Sequence, residues 1–163
     1  MKWFVKCIRN YVNFSGRARR KEYWFFVLFT FIFSIVASLL DRLIFGPTGI
    51  LLSGLFGLFI LLPQLAVMVR RLHDTNRSGK WVLWYYLASI IWVVILLAWG
   101  MKYFAAALQG AAGLPVGLSI FAIVGGLALV GLGITLFVWS LLPGTQGENR
   151  YGADPKAEEE ARN

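Results

Sequence analysis

The sequence predicts an all-α, polytopic integral membrane protein: four transmembrane helices behind an N-terminal amphipathic helix that lies in the membrane interface. Three observations predict it. Of the 163 residues, 58% are apolar and only 15% charged, and the mean hydropathy is +0.67. That leaves too few polar side chains to cover a water-soluble surface. Four long stretches, 24–40, 46–69, 81–101 and 103–147, contain no Asp, Glu, Lys, Arg or His, and each reaches the lower end of the about 17–25 residues over which bilayer-spanning helices range. Finally, Lys and Arg gather in alternate connecting segments, the pattern that orients a multi-pass chain. Disorder is excluded by the hydrophobicity, and a disulfide scaffold by Cys7 being the only cysteine.

The first element is the N-terminal helix, expected over 2–14. Lys2, Lys6, Arg9 and Asn13 recur at helical spacing, while Trp3, Phe4, Cys7, Ile8, Tyr11 and Phe14 occupy the opposite face. A basic side opposite Trp and Phe describes a helix in the membrane interface, where each Lys or Arg near an anionic leaflet is worth about 1 kcal/mol. Two roles stay open for it: an anchor packed on the protein's own spans, or a contact for lipid or a partner. Ser15-Gly16 ends it.

Four spans follow, at about 23–45, 50–69, 81–101 and 116–142. The first carries Asp41 and Arg42 near its end and has no convincing cleavage site before them, so it is expected to remain as a span. The last window is longer than a crossing requires, so its helix starts late or tilts. The span centres hold no ionisable group, which argues against proton- or ion-coupled transport. Pro63, beside Gln64, is placed to free backbone carbonyls of the second span. Gly49, Ser53 and Gly57 form a small-residue face, as do the pairs Gly113 with Gly117 and Ala122 with Gly126. Residues 1–155 form one domain in this reading, and 156–163 a charged, frayed tail.

The net charge of +8 is a topology signal rather than a nucleic-acid footprint. Fourteen of the 16 Lys and Arg precede the first span, separate the second from the third, or follow the fourth; only Arg42 and Lys102 lie in the other two connections. This bias places both termini and the central connection on the cytoplasmic side of the membrane. Tyr23, Trp24, Trp81, Trp84 and Trp139 then stand at inner ends, and Trp99 and Tyr103 at an outer end.

Three polar stretches share that inner face. They are Phe14-x-Gly16-Arg17-Ala18-Arg19-Arg20-Lys21-Glu22-Tyr23-Trp24, then Arg70-Arg71-Leu72-His73-Asp74-Thr75-Asn76-Arg77-Ser78-Gly79, then Gly144-Thr145-Gln146-Gly147-Glu148-Asn149-Arg150-Tyr151-Gly152-Ala153-Asp154-Pro155. In these three ordered motifs, with spans between them, the chain resembles the bacterial "domain of unknown function 805" family over about residues 10–155. The resemblance implies a four-helix inner-membrane protein and no established activity. Asn76 stands where the family often has Gly, and Asn also tolerates the left-handed conformation. Lys80 and Glu148 replace a common Trp and Pro.

The motifs limit the chemistry. His73 and Asp74 are the tempting acid/base pair, but neighbours in sequence do not face each other on a helix. The bland alternative has Asp74 paired with an arginine and His73 bonded to a loop. One His and one Cys cannot supply a metal ligand set, and Gly144-x-x-Gly147 is too short for a P-loop, so no metal, cofactor or catalytic residue is assigned. The arginines are more informative. Arg17, Arg19, Arg20, Arg70, Arg71, Arg77 and Arg150 converge with Gly79, Gly144, Thr145, Gly147, Asn149 and Tyr151 on one interface. Either they form a pocket for phosphate, or they pair with Glu22, Asp74, Glu148 and Asp154 to lock the segments together. The expected function is a non-enzymatic membrane binding or scaffolding module that engages anionic phospholipid headgroups, a membrane-protein partner or a second copy. The alternatives are a small transporter or channel subunit, and a headgroup enzyme using His73 and Asp74.

Overall fold

The computed structural model describes residues 1–109 and 116–157. Its helices are α1 (Lys2–Arg9), α2 (Arg20–Phe45), α3 (Leu51–Asp74), α4 (Lys80–Leu108) and α5 (Val116–Leu141). The last four are each long and apolar enough to cross a membrane. The fold class is therefore the one expected, but several boundaries differ.

The N-terminal helix stops at Arg9, not at residue 14. Asn10 turns its side-chain amide back onto the Lys6 carbonyl, Asn13 bonds Asn10, and Ser15 N–H donates to Asn13 Oδ1. Asn side chains that compete for backbone groups in this way end helices. The other helices outrun their apolar windows. α2 starts at Arg20 rather than 23, α3 continues from 69 to Asp74, and α4 from 101 to Leu108, whereas α5 ends one residue early. A charge ends the hydrocarbon crossing but not the backbone hydrogen-bond ladder, which continues into the interface where polar side chains find partners. In consequence Arg70, Arg71, His73 and Asp74 are the last turn of a helix and not a loop.

Asp41 explains the acidic end of the first span. It is buried, and its carboxylate accepts from Leu52 N–H (2.7 Å), Ser53 N–H (2.8 Å) and the Ser53 hydroxyl (2.6 Å). The end of α2 thus caps the start of α3, whose own N-cap residue Ile50 contributes no side-chain bond. The turn between them is tight. A Cβ on Gly49 would lie 2.6 Å from the Asp41 carbonyl oxygen.

The chain, expected to form one domain over 1–155, gathers into two compact units: Met1–Gly79 together with the segment from Trp139 onward, and Lys80–Val138. The polar bonds between distant segments concentrate in the first, and the second is a pair of nearly uniformly apolar helices.

In the first unit α1 packs on α2 and α3. Its apolar face closes the core of Cys7, Ala18, Tyr23, Phe26, Ile60 and Val67, and the Phe4 ring stacks on Phe26 and meets Phe33 edge-on. Pro63 lies inside α3 and, lacking an N–H, leaves the Phe59 carbonyl without its helical donor. The Tyr11 hydroxyl donates to that carbonyl. The residue that frees the backbone group and the one that satisfies it are 52 positions apart.

In the second unit, large aromatics of α4 meet glycines of α5. Trp92 seats against Gly125 and Gly126, and a Cβ on Gly125 would lie 2.3 Å from its Nε1. Tyr85 meets Gly133, and Trp99 meets Phe121. Of the small faces expected from the sequence, Gly126 is used, whereas Gly57 and Gly117 have open space where a Cβ would go. Gly113 lies outside the described residues.

Candidate functional site

The three motifs meet at Asp74. Because α3 runs through Arg70–Asp74, Arg71 and Asp74 fall three residues apart on one helical face, the spacing of a side-chain pair. Arg71 is fully buried. Its Nη1 donates to Asp74 Oδ2 and the Ala18 carbonyl, its Nε to the Ser140 carbonyl and its Nη2 to the Leu142 carbonyl. Arg17 reaches the other carboxylate oxygen, Nε and Nη2 standing 3.1 and 3.0 Å from Oδ1. It also donates to the carbonyls of Thr145, Gly147 and Gly152. One buried carboxylate thus holds two buried guanidiniums; the remaining donors of Arg17 fasten the C-terminal motif, and those of Arg71 hold the Ala18 carbonyl and the end of α5. Gly144 is obligatory here, since a Cβ would lie 2.1 Å from Asp74 Oδ2.

Around this lock the backbone completes the joint. The Asp74 carbonyl accepts from both the N–H and the hydroxyl of Thr145. Asn149 Nδ2 donates to the His73 carbonyl and to Thr145 Oγ1. His73 Nδ1 lies 3.1 Å from the Gly16 carbonyl, which makes Nδ1 the protonated nitrogen. The imidazole lies flat on Tyr151, centroids 3.8 Å apart, and Arg150 stands over that phenol while donating to the Asn76 carbonyl. Asn76 is left-handed, with φ 58°. Arg77 sits apart, over the Trp139 ring. Gly79 is pressed against Val69, 2.4 Å from where its Cβ would be.

Glu22 and Arg70 form a separate buried cluster beneath α1. Arg70 Nη1 lies 2.8 Å from Glu22 Oε1, and Lys6 Nζ lies 2.8 Å from Oε2. The Cys7 thiol donates to Glu22 Oε1 at 3.8 Å. Burial, reinforced by the Glu22 charge, pushes that thiol up to about 12, so it is a packed S–H and not a nucleophile.

A cavity of about 230 Å³ lies beside the lock. Arg19, Arg20 and Lys21 line it around the start of α2, Asp74 from the end of α3, Gly144, Thr145, Asp154 and Pro155 from the third motif, and Lys156 from the residue that follows. The first intrahelical bond of α2 runs from Tyr23 N–H to the Arg19 carbonyl. The backbone donors ahead of it carry the positive end of the helix dipole. Asp154 is the carboxylate of the rim. The Lys156 and Gly147 N–H groups hold it below the usual carboxylate range.

The expected residues therefore separate by role. Arg17, Arg71, His73, Asp74, Gly144, Thr145, Gly147, Asn149, Arg150 and Tyr151 are joined in one network, Glu22 and Arg70 in a second, and Arg19 and Arg20 face the cavity. Gly147 contributes a carbonyl to Arg17 and an N–H to Asp154, not a cradle of bare N–H groups. Of the anions expected to answer the arginines, Glu22 and Asp74 do so in ion pairs, Asp154 binds backbone N–H groups, and Glu148 is exposed. Sequence reasoning missed Lys6 and Cys7 as companions of Glu22, and Lys21, Lys156 and Pro155 as cavity walls. The Arg71–Asp74 pairing was available from helical spacing once α3 is continued past residue 69. Among the described residues no group of three or more His, Cys, Asp or Glu gathers as a metal set would.

The family described as "protein of unknown function (DUF805)" matches residues 11–153. Inner membrane protein YhaH of Escherichia coli K12 is 36% identical over 162 residues, covering 97% of this chain and 99% of the relative. Inner membrane protein YhaI of the same strain is 37% identical over 158 residues, covering 96% and 97%. The uncharacterized protein YiiR is 32% identical over 149 residues, covering 87% and 85%. No solved structure matches. With three motifs joined in one buried network, four helices of membrane-crossing length and relatives aligned from end to end, the chain belongs to the DUF805 family and is a multi-pass bacterial inner-membrane protein.

Proposed function

We propose that this protein is a non-enzymatic membrane binding module whose cavity takes the phosphate of an anionic phospholipid headgroup, with both termini and the 70–80 segment facing the cytoplasm. The observation that carries the reading is a division of labour among the cations. Arg17 and Arg71 answer the charge of Asp74, whereas Arg19, which also lies over the Trp3 ring, Arg20, which also holds the Leu141 carbonyl, Lys21 and Lys156 line a cavity with Asp154 on its rim. Asp74 also borders the cavity, but its charge is answered by two guanidiniums. The excess is positive, and the volume corresponds to about eight waters, room for a phosphate and a small alcohol. Arginine forks suit phosphate oxygens. A non-enzymatic role is supported by the state of the one acid/base candidate. His73 gives Nδ1 to Gly16, its ring is covered by Tyr151, and both oxygens of Asp74 are occupied.

Native mass spectrometry of the detergent-solubilised protein, titrated with dioleoyl phosphatidylglycerol or dioleoyl phosphatidylcholine, tests the binding. Adducts should favour the anionic lipid and fall at least tenfold in Lys21→Gln/Lys156→Gln, two exposed positions whose change leaves the lock intact. Equal adducts from both lipids, or an unchanged double variant, would refute the reading. A topology reporter fused after Pro155 should be active only on the cytoplasmic side.

A further inference from the structure

We infer that the site is built for a whole phospholipid rather than a free phosphate ester: the cationic cavity continues into an apolar groove that holds an acyl chain. The inference rests on the phosphate reading of the cavity. The groove, about 410 Å³, is lined by Trp24, Phe25 and Leu141 and shares Arg20 and Lys21 with the cavity. The order along α2 is that of an amphiphile. Trp24 follows Arg20, and Phe25 follows Lys21, by four residues, so each aromatic lies about one turn, roughly 6 Å, below a cation on the same face. Leu141 closes the groove from the last residue of α5, and Arg20 Nη1 holds its carbonyl at 3.0 Å. The arginine at the junction is thereby fixed between the two compartments.

Two further observations favour an acyl chain as the occupant. Phe25 and Leu141 are 43% and 45% exposed, so the packed core has not consumed them. The wall is apolar directly beneath two cations, which complements a molecule with a phosphate at one end and hydrocarbon at the other.

The test compares two probes, dioleoyl phosphatidylglycerol and sn-glycerol 3-phosphate, on the detergent-solubilised full chain by native mass spectrometry. The wild type should hold the lipid at least tenfold more tightly than the ester. Phe25→Ala/Leu141→Ala should remove most of that gap while ester binding stays unchanged, and Lys21→Gln/Lys156→Gln should weaken both. As a measurement independent of any variant's folding, phosphatidylglycerol with a photoreactive acyl chain should label the wild type at peptides containing Trp24, Phe25 or Leu141. Equal affinity for the two probes, an unaffected groove variant, or labelling confined to other segments would overturn the inference while leaving the phosphate reading standing. Failure of the wild type to bind either probe would overturn both.

Discussion

Replacing Asp74 by Asn keeps the shape of the side chain and removes the one negative charge that Arg17 and Arg71 share. The Arg17 and Arg71 side chains are 1% and 0% exposed, and that of Asp74 is 6% exposed, so water cannot take over the role of the carboxylate. Breaking a buried pair from one side typically costs about 3–5 kcal/mol, because the orphaned charge stays desolvated. Here two guanidiniums are orphaned together, while both keep bonds to backbone carbonyls, so the middle of that range, about 4 kcal/mol, is the reasoned figure. Against a total stability of about 5–15 kcal/mol this is a large share. At roughly 2–4 °C per kcal/mol for a chain of this size, the melting midpoint should fall by on the order of 10 °C. The assay is a thermal melt of the detergent-solubilised protein followed by tryptophan fluorescence, with limited proteolysis after residue 142 as the local readout. Glu148→Gln, an exposed carboxylate, is the control and should shift the midpoint by less than about 1–2 °C. Asp74→Asn/Arg71→Met should recover part of the loss, since removing both buried partners costs less than removing one. A shift below about 2 °C for Asp74→Asn, with the 143–157 segment still protected, would refute the lock.

Other outcomes follow from the same geometry. Asp41→Ala should lower stability by about 1–2 kcal/mol through loss of the α3 cap, read as a lower midpoint and faster cleavage in the 46–50 turn. Gly125→Ala should cost about 1–3 kcal/mol, because the new methyl meets Trp92 in a packed notch; combining it with Trp92→Leu should restore most of the loss in the same melt. Cys7 titrates at about 12 in the fold against an ordinary thiol value near 8.5. Its raised value means that the folded state favours the neutral thiol. The stabilising contribution is complete below about pH 8.5 and is lost as pH rises from there through about 12. Iodoacetamide at pH 8 should therefore leave Cys7 unmodified in the native protein and label it rapidly after denaturation, as intact-mass measurement would show.

Residues read in isolation carried the architecture because the bilayer imposes a length. A hydrocarbon core about 30 Å thick demands about 17–25 apolar residues, and the uncharged windows at 24–40, 46–69, 81–101 and 103–147 each reach that range, whatever the helices do afterwards. The carbonyl freed by Pro63 was equally legible, as local backbone chemistry, and the left-handed Asn76 came from the family resemblance, which often has a glycine there. Helix ends were not. Asn10 and Asn13 closed α1 through side-chain bonds that periodicity does not register, and α3 carried Arg70 and Arg71 past the apolar window because charge does not interrupt a helix. Partner choice also belonged to the tertiary structure. Arg17 finds Asp74 across 57 residues and the Gly147 carbonyl across 130, and Tyr11 finds the Phe59 carbonyl across 48. A sequence states which charges exist. Which of them are buried together, and so committed to each other, and which are left lining a cavity, depends on how the folded chain distributes desolvation. That is why Arg17 and Arg71 became structure while Arg19, Arg20, Lys21 and Lys156 came to surround a space.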